Sequence, residues 1–147
     1  MGEENLNSEF KRCIERGKII AFRKGTSLVG KELNSADDDL MASKDSFERG
    51  NYKWATIQAY YSMFHTARGL IYAKNYREKS HYCLVIALEH LYVERGLLDK
   101  GFIESLTIGK EMRESADYRS SFSREGAENL IKAAQDFLSV TKKLAKK

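Results

Sequence analysis

Proline is absent from this chain of 147 residues. The main helix breaker is therefore missing, and the apolar spacing that remains is helical nearly throughout. Long apolar runs are absent too, which excludes a segment able to span a membrane. The opening MGEENLNSEF is too acidic for a signal peptide, and position six lacks the Ser or Thr of a myristoylation signal. Cysteine is scarce. Cys13 and Cys83 are too few and too far apart to suggest a disulfide scaffold or a metal site. They read as reduced thiols of a cytoplasmic protein, buried as small hydrophobes. Neither metal nor cofactor is expected.

What is present is ordinary for a soluble globular domain: 42% apolar and 31% charged residues. A net charge of +4 permits an acidic partner such as nucleic acid without requiring one. The length suits one domain with a real core. Within it we expect an N-terminal helix and loop over 1–32, a core bundle over 33–143 and a basic tail over 144–147.

Residues 5–20 form a first expected helix, with Phe10, Cys13, Ile14, Gly17 and Ile20 on one side. The following GKIIAFRKGTSLVGKEL is left open as helix or loop. From Leu33 the spacing of Ala36, Leu40, Ser43 and Phe47 predicts a second helix, with Asp37, Asp38 and Asp39 in its first turns and Gly50 as its stop. Residues 52–75 carry two stripes. One is Trp54, Ile57, Tyr61, Phe64, Arg68 and Ile71; the other is Ala55, Ala59, Met63, Ala67 and Leu70. A helix apolar on two faces is touched on two sides, so this should be the central one.

Ser80 is placed to cap a fourth helix that turns Leu84, Leu88 and Leu91 inward and ends at Gly96. A fifth runs from about Asp99 to Asp117 with Phe102, Leu106, Met112 and Ala116 inward. Ser123 should cap the last, whose stripe is Ala127, Leu130, Ile131, Ala134, Phe137, Leu138, Thr141 and Leu144. Short links make neighbours antiparallel, so the fold class is all-α, an up-and-down bundle of about five to six helices.

Two motifs invite chemistry and do not sustain it. GTSLVGKE lacks the Ser or Thr after lysine that holds magnesium in a phosphate-binding loop, and Glu32 stands there instead. Three consecutive aspartates opening a helix point in three directions and so cannot share a metal. His65 reads as a satisfied interior histidine, and His90 should lie toward solvent.

The stretch MRESADYR asks more. Arg113 and Asp117 are four apart and can pair, though with the arginine first the order is the weaker one. Antiparallel packing should gather the end of the third helix (Arg68, Tyr72), the start of the fourth (Arg77, His81) and the end of the fifth (Arg113, Asp117, Tyr118). Arginine suits bidentate phosphate binding and histidine suits acid/base work near neutral pH. The same cluster also reads as a polar tie between helix ends.

AYYSMFHTARGLIYAKNYREKSH, followed by RESADYRSSFSREGAENLIKAAQDFL, resembles the HEPN domain family, and in particular its small stand-alone prokaryotic members. The resemblance covers about residues 33–143. It implies a helical bundle, often a homodimer, and often a partner in a toxin–antitoxin-like pair with a minimal nucleotidyltransferase. Many members are metal-independent endoribonucleases, marked by an arginine and a histidine separated by a few residues. The arginine stabilises charge on the phosphate and the histidine serves the ribose hydroxyl.

Arg113 matches that arginine. After four intervening residues Tyr118 stands where the histidine would, and none of the positions through Ser121 is histidine. At pH 7 only about a thousandth of an unperturbed tyrosine is deprotonated, so Tyr118 is a donor rather than a base.

The expected function is therefore a non-catalytic nucleotide- or RNA-binding module, with Arg113 as the anion contact. Tyr118 would donate or stack, Asp117 would aim Arg113, and His81, Arg68 and Arg77 would assist. The alternatives are a ribonuclease toxin using Arg113 with a displaced His81, and a purely structural helical partner.

Overall fold

The computed structural model describes residues 3–115 and 122–145. Its elements in chain order are α1 (Glu3–Glu15), β1 (Ile19–Ala21), α2 (Gly25–Glu48), α3 (Tyr52–Tyr72), β2 (Tyr76–Glu78), α4 (His81–Leu88), a π-helical turn (Glu89–Val93), α5 (Lys100–Ser115) and α6 (Arg124–Ala145). The expected all-α bundle is what forms. α3 is its centre, packed along α2 and also against α6 and α5.

The alanine stripe of α3 explains that position. Ala55, Ala59 and Ala67 are fully buried together with Met63, so neighbouring backbones approach closely. Of the Trp54 stripe, Trp54 is exposed, Tyr61 and Phe64 pack at the edge of the core, and Ile71 is fully buried. The stripe of α6 is buried from Ala127 through Thr141, with Leu144 packed against its margin. Caps fall where expected. Ser80 Oγ accepts from the Cys83 amide at 3.2 Å, Ser123 Oγ accepts from the Gly126 amide at 2.9 Å, and Gly50 takes the left-handed conformation that closes α2.

The N-terminal third differs from expectation. The first helix stops at Glu15, and Ile19–Ala21 instead pairs antiparallel with Tyr76–Glu78, Ile20 opposite Arg77. α2 begins at Gly25, eight residues before Leu33, because antiparallel packing on α3 supports that extra length. Gly25 lies so close to the Tyr72 carbonyl that a side chain there would collide with it. GTSLVGKE is thus helix, and no phosphate loop forms. The three aspartates consequently lie in mid-helix: Asp37 pairs with Lys142 at 2.8 Å and Asp39 faces His65.

The cysteines are also corrected. Cys13 and Cys83 are joined as a disulfide, with Cα atoms 5.8 Å apart, so they are not reduced thiols. The β1–β2 pairing folds α1 back onto α4 and brings residues 70 positions apart together. The same packing half-buries His90, whose ring stacks on Phe10 at 4.6 Å rather than facing solvent. No helix among the described residues is long and apolar enough to cross a membrane.

Candidate functional site

Gly109 lets α5 approach α3, since a side chain there would press on Met63 and Tyr60 at 3.2 Å. One turn further along, the Arg113 guanidinium carbon stands 5.2 Å from the centroid of the Tyr61 ring. This is cation–π range, so the ring holds an exposed positive group in place without neutralising it. Among the described residues Arg113 has no salt bridge. Tyr60 is buried next to Tyr61, with ring centroids 5.5 Å apart. Burial pushes its phenol pKa up, with Arg113 pulling the other way, so the hydroxyl stays protonated.

His81 lies across α5 from Arg113. Its Nε2 is 3.5 Å from the Thr107 hydroxyl, at the outer limit of a hydrogen bond. Its Nδ1 is closed to solvent and has no partner among the described residues. Burial lowers its pKa, Lys110 lowers it further, and Glu114 opposes both. The imidazole is therefore mostly neutral at pH 7. Lys110 pairs with Glu114 on the same helix, and that hydrogen bond, with the lysine's charge, lowers the exposed carboxyl's pKa.

Arg68 belongs to a different group. It bonds Glu78 at 3.3 Å, lies 4.0 Å from Glu32, and sits over Phe64 at 5.3 Å and Tyr72 at 5.4 Å. Burial raises the pKa of Glu78, and Arg68 counters it. Arg77 is exposed on β2, 5.8 Å from the Phe22 ring, and its charge reaches Glu78 and Tyr72 of the Arg68 group. The expected gathering at one end of the bundle is thus divided: Arg113 and His81 both belong to α5's surroundings, Arg68 is held among carboxylates, and Arg77 lies on the ribbon. Asp117 and Tyr118 fall outside the described residues.

Sequence reasoning missed Tyr60 and Tyr61 as the platform under Arg113. Their signal is the YY pair, of which Tyr61 alone enters a helix stripe and which otherwise serves only the family resemblance. It also missed Glu32, Asp39 and Glu78 as partners of His65 and Arg68. No metal-binding cluster of His, Cys, Asp or Glu occurs among the described residues.

Comparison with known proteins adds what geometry cannot. Residues 30–144 match the HEPN domain. The chain belongs to the HEPN domain family. "Putative toxin MJ0605" of Methanocaldococcus jannaschii is 31% identical over 115 residues, covering 78% of this chain and 86% of that protein. "Putative toxin MJ0142" of the same organism is 28% identical, covering 87% and 88%. A UPF0332 protein of Archaeoglobus fulgidus is 26% identical, covering 78% and 93%. The HEPN match begins within α2, so α1 and the β1 strand precede it.

Proposed function

We propose that this HEPN domain is the toxin-like half of a two-component pair and binds nucleotide or RNA without cleaving it. The observation that carries this reading is the exposed Arg113 guanidinium seated on the Tyr61 ring. A guanidinium so placed offers its fork to a phosphate, and the half-buried Tyr61 ring beneath it leaves an aromatic margin on which a base could stack. Asp117 would aim Arg113 and Tyr118 would add a donor or stacking surface. The names of the two Methanocaldococcus relatives support a toxin-like role and hence an antitoxin-like partner. A minimal nucleotidyltransferase fits that part, and the active form would be a homodimer that brings two Arg113 groups together.

A ribonuclease reading draws on the same names and on a His81 that is mostly neutral at pH 7. Against it, His81 Nδ1 is closed to solvent and Nε2 faces Thr107, so neither nitrogen is presented as a base.

The test measures binding of labelled RNA, ATP and GTP alongside RNA cleavage in excess EDTA, for the native chain and for Arg113→Ala. The expected result is no cleavage and a binding loss of about tenfold or more in the variant, the worth of a charged hydrogen bond. Cleavage that disappears in Arg113→Ala would replace this reading with the ribonuclease. Full binding by Arg113→Ala would remove the site altogether.

A further inference from the structure

Five polar side chains are buried in the described core, and four of them are satisfied from within. Ser43 donates to the Ala55 carbonyl at 2.5 Å and Ser62 to the Ala36 carbonyl at 2.8 Å, tying α2 to α3. Thr56 and Thr66 donate back along α3 to Tyr52 and Ser62, at 2.8 and 2.9 Å. Thr141 breaks the pattern. It is 1% exposed, yet its hydroxyl neither turns back onto α6 nor meets any other described residue. Buried hydroxyls nearly always have a partner, so one is owed here from beyond the described residues.

Thr141 lines a pocket of about 470 Å³. That volume falls within the range of about 300–1,000 Å³ usual for small-molecule sites. Its walls come from Val29 of α2, Leu70 of α3, Leu97 of the link before α5 and Leu144 of α6. Tyr92 supplies a further wall, and its own hydroxyl is committed to the Leu70 carbonyl. Lys74, exposed and also lining the pocket, holds its ammonium 5.5 Å from the Tyr92 ring centroid. Among the described residues it has no carboxylate partner. The pocket shares no residue with the Arg113 site.

We propose that this pocket binds a small amphipathic anion, its apolar body between α2, α3 and α6 and its carboxylate or phosphate oxygens on Lys74 and the Thr141 hydroxyl. Apolar walls, one committed phenol, and an ammonium and a buried hydroxyl that lack ion-pair and hydrogen-bond partners among the described residues together select that class. A purely apolar guest would leave Thr141 and Lys74 unanswered. A cation would meet Lys74 in repulsion.

The test titrates the full chain with decanoate, decyl phosphate and decyltrimethylammonium, each below its micelle concentration, by calorimetry. Saturable binding of an anion and none of the cation is expected, and the tighter of the two anions names the head group. Thr141→Val keeps the shape and removes the hydroxyl, so it should fold normally and bind about five- to tenfold more weakly. Lys74→Gln should abolish the preference for anion over cation. Leu97→Glu, at the exposed rim, should obstruct entry and repel an anion without touching the core. The proposal fails if neither anion binds, so that water alone meets Thr141, or if the cation binds equally. It fails too if affinity survives both Thr141→Val and Leu97→Glu.

Discussion

His65 Nδ1 on α3 stands 2.6 Å from Glu32 Oε2 on α2, while its Nε2 faces Asp39 Oδ2 at 3.6 Å. Glu32 and Asp39 are two helical turns apart, so one imidazole spans both and ties α2 to α3. Arg68, one turn beyond His65, approaches the other oxygen of Glu32. Burial raises the pKa of Asp39, and His65 works against that shift.

This tie is structural and half-buried, which sets the size of the effect of breaking it. His65→Ala and Glu32→Gln should each lower unfolding free energy by about 1–3 kcal/mol, the cost of leaving a partly buried polar partner unmet. The double variant should lose less than the sum, because the two act on one contact. Urea denaturation of the four proteins measures this. Strict additivity would mean the 2.6 Å contact contributes nothing. RNA or nucleotide binding should persist in folded Glu32→Gln, since Arg113 is not part of this group.

How much of this was legible in the sequence depends on the range of the interaction. The buried stripe of α6 and the caps at Ser80 and Ser123 are local patterns, and they appear as read. The early start of α2 was not legible, because GTSLVG alone has weak periodicity and its helix depends on α3 beside it. A three-residue strand is too short to show alternation, so the β1–β2 ribbon had no signature. The Cys13–Cys83 bond depends on that ribbon, and His90 against Phe10 depends on the same folding back. At the candidate site Arg113 was legible as an exposed cation, but the Tyr61 platform needed α5 and α3 to be docked. Arg68 and Arg113 both read as candidate anion contacts, and only tertiary structure shows that the first is paired with carboxylates.

Two glycines of α2 should respond oppositely to the same substitution. Gly25→Ala drives a methyl group into the Tyr72 carbonyl, where backbone cannot yield cheaply. It should destabilise by about 1–3 kcal/mol, as overpacking does. Gly30 is exposed within the helix and has nothing near where a side chain would stand. Gly30→Ala should stabilise by about 0.5–1 kcal/mol through backbone entropy and helix propensity. Thermal denaturation of both variants gives the signs, and a matching sign would contradict the packing of α2 against the end of α3.

The disulfide should matter in proportion to the long loop it closes. Reduction, or Cys13→Ser with Cys83→Ser, should lower stability by about 2–4 kcal/mol, chiefly by freeing the unfolded chain. α1 reaches the bundle mainly through α4, the π-helical turn and β1, so its amides should lose hydrogen-exchange protection first. Fast exchange in α1 with α3 and α6 still protected is the expected result. Unchanged protection in α1 after reduction would mean that Phe10 and its neighbours hold the helix without the bond.

His81 gives a pH dependence whose sign can be worked out. Its folded pKa lies below the ordinary value of 6.5, so between those two values the unfolded chain binds more protons than the folded one. Stability should therefore rise with pH across that window and be lost as pH falls from about 6.5 toward the folded value. The physical cause is an imidazole whose Nδ1 has no solvent access and whose protonated form would face Lys110. His81→Leu removes both the titration and the unmet nitrogen, so it should flatten the dependence and remain folded at pH 7. Asp39 and Glu78, whose folded pKa values are raised by burial, act in the opposite direction at lower pH and are present in both proteins. The difference between native and His81→Leu stability, measured by urea titration from pH 5 to 8, isolates the histidine. A difference that does not change with pH would show that His81 titrates alike folded and unfolded, and would reopen it as an accessible base for the ribonuclease reading.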